Sequence, residues 1–121
     1  MRNWIIVSVV ISLLSFSPPA RAEDKSSCDG STYEMVECLK KKTAYWDQRL
    51  NKAYQQALKA AASPNQADKL RAAQRLWARY RDANCLYYDF GEGTIARIEA
   101  GECMRSMTEA RAKELEGVGR Q

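Results

Sequence analysis

The amino-acid sequence predicts an all-α protein: a small antiparallel three-helix bundle stapled by two disulfides. Apolar residues recur in three segments at steps of three and four, the period of an amphipathic helix. Two of those segments open on serine start signals, and four cysteines in a chain of 121 residues supply the crosslinks. No segment alternates apolar and polar residues as a half-buried strand does.

Ahead of the helices stands a leader. Arg2 gives a basic start, Trp4 to Phe16 form a mostly apolar run, and Ala20-Arg21-Ala22 offers an A-x-A site, the pattern of a signal peptide cleaved after Ala22. The run stops at Ser17-Pro18-Pro19, short of the roughly 20 apolar residues a membrane-spanning helix needs. Cys28 comes after Asp24-Lys25-Ser26-Ser27, a context that does not suit lipid attachment. The expected destination is periplasmic or secreted. Cleavage takes Arg2 and Arg21 with it, so 17 basic residues face 15 acidic ones and the formal charge falls from +4 to +2. That balance does not favour nucleic acid, and Lys40-Lys41-Lys42 lies near Glu37 and Asp47 as a solvated helix face does. All four cysteines, Cys28, Cys38, Cys85 and Cys103, lie beyond the leader, an even number in an oxidising compartment. Three pairings are open to them.

Residues 23–30 form a polar N-terminal segment, and residues 31–121 the helical domain. Ser31 and Glu34 stand three apart as a capping box, so the first helix starts there. Met35, Leu39, Trp46, Leu50, Ala53, Ala57 and Ala61 share one face and carry it to about Ala62. Ser63-Pro64-Asn65-Gln66 is a second start, with serine as N-cap, proline at the first helical position and glutamine completing the box. Leu70, Ala73, Trp77, Tyr80 and Asn84, widened by Leu76 and Ala83, take the second helix to about Cys85, antiparallel to the first. Tyr87 to Gly93 reads as an irregular loop, with Thr94 placed to cap the third helix. Ile95, Ile98, Met104, Met107, Ala110 and Leu115 form that third segment, where Gly101 marks a break or kink that leaves room for a short extra turn.

The chemistry that is missing narrows the function. The chain has no histidine, which removes the usual general base and the commonest metal ligand. With the cysteines in disulfides, no metal, cofactor or catalytic site is expected, and Asp47, Asp82, Glu99 and Glu109 sit among basic neighbours as surface carboxylates do. Beside the apolar stripes fall Asp47, Asn51, Gln74, Arg81, Asp82 and Arg111, expected to meet as a polar network that fixes helix register, with Asp47 facing Arg81 or Arg111.

Several spaced motifs carry a family resemblance. Asp47, Leu50, Asn51 and Tyr54 look like a D-x-x-L-N-x-x-Y block, and Gln74, Trp77, Tyr80, Arg81, Asp82 and Cys85 like a Q-x-x-W-x-x-[YF]-R-D-x-x-C block. Gly91 to Thr94 look like a Gly-Thr loop, and Cys103, Thr108, Arg111 and Leu115 like a closing C-x-x-x-x-T-x-x-R-x-x-x-L helix. In this order, from Cys28 to Leu115, they resemble the LprI-like N-terminal domain family. The resemblance implies a lysozyme inhibitor that occludes the enzyme cleft without doing chemistry.

A glycosidase of that kind keeps two carboxylates in an open cleft. The segment suited to enter it is Tyr87, Tyr88, Asp89, Phe90 and Glu92, where aromatic rings offer contact area and the two acids attract a basic cleft. The plain alternative is a helix connection with Tyr87 and Phe90 folded onto the core. A second functional class is an envelope assembly partner or toxin-immunity protein, docking through the third helix or the Trp46–Tyr54 side, for which exposure of Trp46, Trp77 or Met107 would speak. Oligomeric state is not legible at this level.

Overall fold

The first helix begins where its capping box predicts. In the computed structural model, which describes residues 27–118 and Arg120, Ser31 Oγ accepts from Glu34 N while Glu34 accepts from Ser31 N, satisfying two orphan amides of α1 (Thr32–Ala60). The leader expected over residues 1–22 lies outside the described residues. A second start comes at Ser63, whose Oγ accepts from Gln66 N, and Pro64 opens α2 (Pro64–Asp89). Gln66 reaches back to Ala62 N rather than to the cap residue itself. Thr94 precedes α3 (Ile95–Gly117) but makes no side-chain cap, a departure from expectation. Among the described residues there are three helices and no strand.

Two element boundaries differ from the sequence reading. α2 runs one turn past Cys85, to Asp89, so Tyr87, Tyr88 and Asp89 of the expected loop are helix and the α2–α3 connection is only Phe90 to Thr94. α3 is unbroken at Gly101. That glycine serves packing, because a Cβ there would stand 3.2 Å from Leu39 Cδ1 and 3.3 Å from Leu39 Cβ. The helix-propensity cost of about 1 kcal/mol is accepted in return for close approach of α1.

The helices run up, down and up, with α3 between the other two. Leu39 lies on Gly101 and Arg49 on Glu116, so α1 and α3 are parallel. Cys85 meets Cys103, Arg81 meets Thr108 and Gln74 meets Arg111, so α2 and α3 are antiparallel. α1 and α2 touch little, and the direct packing of α2 on α1 gives way to packing of both on α3. Small residues make this possible: Ala53, Ala57 and Ala112 are buried with Leu50 and Leu115 in one core cluster, flanked by half-buried Trp46, Tyr54, Leu70 and Trp77.

Several side chains expected in the core lie outside it. Leu76 and Tyr80 are exposed, as are Ile95 and Ala110, whereas Ala96, Cys103, Thr108 and Ala112 are buried on α3. The disulfides are Cys28–Cys38 and Cys85–Cys103, leaving no free cysteine. The first ties the N-terminal segment to α1, and the second ties the end of α2 to α3.

Charge pairing runs along α3. Arg105 bridges Glu102 and Glu109, Lys113 pairs with Glu109, and Arg49 of α1 makes two 2.9 Å bonds to Glu116. Hydrogen bonds from Arg105, Lys113 and Arg49 hold the carboxyls of Glu102, Glu109 and Glu116, respectively, below their ordinary value of 4.5. A carboxyl depressed in the fold contributes stability that is complete above its unfolded value and lost as pH falls through the folded one. The thermal midpoint should therefore hold steady from neutral pH down to about 5 and decline below about 4.5. In Glu116→Gln that decline should be shallower, since the α1–α3 pair no longer titrates.

Candidate functional site

The α2–α3 corner projects the aromatic and acidic residues singled out in the sequence. Tyr87, Tyr88 and Asp89 occupy the last turn of α2, Phe90 is its C-cap, and Glu92 lies in the connection. Phe90 N donates to Leu86 O at 3.1 Å and Gly91 N to Tyr88 O at 3.0 Å, which closes the helix end. Gly93 supplies the one left-handed residue the turn needs, at φ 71°. Gly91 is tight for another reason: a Cβ there would lie 3.0 Å from Tyr88 O.

Burial bears on whether this corner is folded onto the core. Tyr87 is 78% exposed and Phe90 85%, so neither folds onto the core. Tyr87 rests edge-on against Tyr88, ring centroids 5.3 Å apart, and Asp89 and Glu92 are also exposed. One turn below, Cys85 and Cys103 are both buried in their disulfide. Asn84 Nδ2 donates to Met107 Sδ at 3.3 Å beside them. The corner is thus a solvent-facing aromatic and acidic tip on a crosslinked base.

The six polar residues separate into three groups. Arg111 Nε donates to Gln74 Oε1 at 2.9 Å, and Arg81 Nη1 to Thr108 Oγ1 at 3.3 Å, joining α2 to α3. Both guanidiniums lie over the Trp77 ring, at 5.0 Å for Arg81 and 6.0 Å for Arg111. Asp82 pairs with Arg81 from the exposed side, forming the second group. Asp47 and Asn51 face solvent on α1, 3.5 Å from each other, and reach neither arginine. Thr108 is recognisable in the sequence only as a motif position, and its full burial is what makes it the partner of Arg81.

Trp46, Trp77 and Met107 are all half-buried. Trp46 packs on the core and carries Arg49 at 4.5 Å and Lys113 at 5.2 Å over its ring. None of the three stands free as a docking anchor. Between α1 and α2, floored by Met104 and Gly101, an open groove of about 750 Å3 carries Lys40, Arg81 and Arg97 at its sides together with Asp82 and Asp89. Its charges are mixed, and no unpaired buried polar group points into it among the described residues. Nor does any cluster of acidic or cysteine side chains there suit a metal ion, and no described helix is long and apolar enough to cross a membrane.

Compared with known proteins, the chain matches no curated sequence and no solved structure. Against models of protein families, residues 22–115 match the one described as lysozyme inhibitor LprI.

Proposed function

The chain belongs to the lysozyme inhibitor LprI family, and from that membership we propose that it is an exported, non-catalytic protein that binds a lysozyme-like glycosidase and occludes its cleft. The observation that carries the reading is the exposed tip. Tyr87 and Phe90 present rigid aromatic area to solvent, with the carboxylates of Asp89 and Glu92 beside them. Rings of this kind supply hot-spot contact at small entropic cost, and acids at the rim draw in a cationic partner. A base locked by the Cys85–Cys103 disulfide lets the tip enter a cleft with little rearrangement, the usual behaviour of tight enzyme inhibitors.

Export belongs to the same proposal. Residues 1–22 act as a leader cleaved after Ala22, residues 23–30 form a short polar segment, and residues 31–121 make the binding domain. Two disulfides suit an oxidising periplasmic or extracellular site.

The test is lysis of a peptidoglycan suspension by several lysozyme types, with and without the oxidised protein. Saturable inhibition of at least one type is expected. Tyr87→Ala with Phe90→Ala should weaken it by roughly 30-fold or more, the scale of losing about 2 kcal/mol at a hot spot. Asp89→Lys with Glu92→Lys should also weaken it and make it less salt-sensitive. Both variants change exposed side chains, so their thermal midpoints should match the parent. Inhibition of no lysozyme type would overturn the inhibitor reading, while equal inhibition by the variants would move the site away from the tip.

A further inference from the structure

The outer flank of α2 carries a second, longer apolar surface. Ala73, Leu76, Tyr80, Ala83, Tyr87 and Phe90 succeed one another at steps of three and four, and every one is exposed. Leu76 is 65% exposed, Tyr80 61%, Tyr87 78% and Phe90 85%. The inner face of the same helix is separate and already covered: Leu70, Gln74, Trp77, Arg81 and Cys85 turn toward α3. A seven-residue apolar repeat over nearly three heptads is the pattern of a helix that pairs with another helix, and the described part of this chain has none left to give it.

From this face we propose that the protein forms a symmetric dimer in which α2 of one copy packs antiparallel against α2 of a second. The order of side chains supports self-pairing. A two-fold axis between Tyr80 and Ala83 sets Tyr80 against the second copy's Ala83, Ala73 against its Phe90 and Leu76 against its Tyr87. Each small residue then receives a ring, the interdigitation that close helix packing requires, and the contact is self-complementary as an isologous interface must be. Charge agrees. Lys69 continues the stripe at its N-terminal end and Glu92 lies just beyond it at the C-terminal end, so the antiparallel arrangement brings Lys69 near the second copy's Glu92 at both edges. A parallel pair would stack like charges.

The area suffices. At about 200 Å2 for a whole aromatic side chain, the exposed fractions leave roughly 450 Å2 on the three rings. Leu76 brings the face to about 500 Å2 or more, so two copies bury about 1,000 Å2, the lower bound for a specific interface.

Leu76, Tyr80 and Ala83 lie below the tip, so this inference stands apart from the inhibitor reading. One corollary rests on that reading: Tyr87 and Phe90 serve both surfaces, and dimerisation and target binding then exclude each other.

Sedimentation equilibrium of the oxidised protein, purified after expression of the whole chain, tests the proposal. The mass should approach that of two chains at high concentration and fall to that of one on dilution. Leu76→Glu should weaken association at least tenfold without altering the thermal midpoint of the dilute monomer, and Tyr33→Glu, at an exposed aromatic on α1, should leave association unchanged. The decisive variant is Ala83→Phe. An unspecific apolar patch would be strengthened by the added ring, whereas the two-fold register is weakened at least tenfold, because the new side chain occupies the place of Tyr80 from the second copy. A protein monomeric at all concentrations, a dimer indifferent to Leu76→Glu, or one tightened by Ala83→Phe would overturn the proposal. Lysis assays on Leu76→Glu, whose tip is intact, report on the inhibitor reading separately.

Discussion

Replacing Cys85 and Cys103 together by alanine should lower the unfolding free energy by about 3 kcal/mol, the loop-closure entropy expected for a crosslink of this span. The two cysteines are 18 residues apart and both are buried, so the bridge closes a loop that holds the entire tip against α3. Against a total stability of roughly 5–15 kcal/mol for a domain of this class, the loss is large. The Cys28–Cys38 bridge should behave differently although its separation, 10 residues, is of the same order. Once it is cut, residues 27–30 gain freedom in the folded protein as well as in the unfolded chain, and the two gains largely cancel. Its removal should cost less than about 1 kcal/mol. Urea titrations of the two double variants measure the contrast, and equal losses would show that the N-terminal segment is held by more than its disulfide.

Leu115→Ala should be costlier still among point changes, at about 3–4 kcal/mol. Leu115 is among the largest fully buried side chains and shares the core with Leu50, Ala53, Ala57 and Ala112. Three of those neighbours are alanines on closely spaced helices and have no side-chain reach with which to fill a void, so the cavity term adds to the lost transfer energy. Leu76→Ala, at an exposed site of the same residue type, should change the stability of the dilute monomer by less than about 0.5 kcal/mol. Thermal or urea unfolding of the two variants side by side would check the difference. A small effect at Leu115 would mean that α1 and α3 can close together further than their alanines now allow.

The parts of this fold that are legible in the sequence are those written by local chemistry. Ser31 with Glu34 and Ser63 with Pro64 announce helix starts because capping depends on residues three apart. The end of α2 is harder to place, since Tyr87, Tyr88 and Asp89 are indifferent helix formers next to glycines, and the extra turn they make is stabilised by the crosslink at Cys85. Gly101 misleads for a related reason: propensity marks glycine as a breaker, but here tertiary contact with Leu39 decides. Periodicity is also blind to which apolar face is inside. Leu76 and Tyr80 extend the stripe of Trp77 in sequence, yet they point away from α3. A face kept for another molecule and a face kept for the core look alike along a helix.

As for the candidate site, the tip residues stand out by composition alone, and only burial separates them from a collapsed turn. The polar network is partly legible. Arg81 and Arg111 converge on Trp77, with Gln74 bonded to Arg111, because these residues share the inner faces of two adjacent helices, whereas Asp47 belongs to a helix that scarcely meets α2.

The central position of α3 also sets an order on the protein's early life. Of the three described helices, the last in chain order is the one on which both others pack, so a nascent chain that stops before Ile95 holds two amphipathic segments with little to cover either. Collapse of α1 and α2 onto a shared core therefore follows the synthesis of α3 and of Leu115 within it, so the three helices fold together rather than one after another.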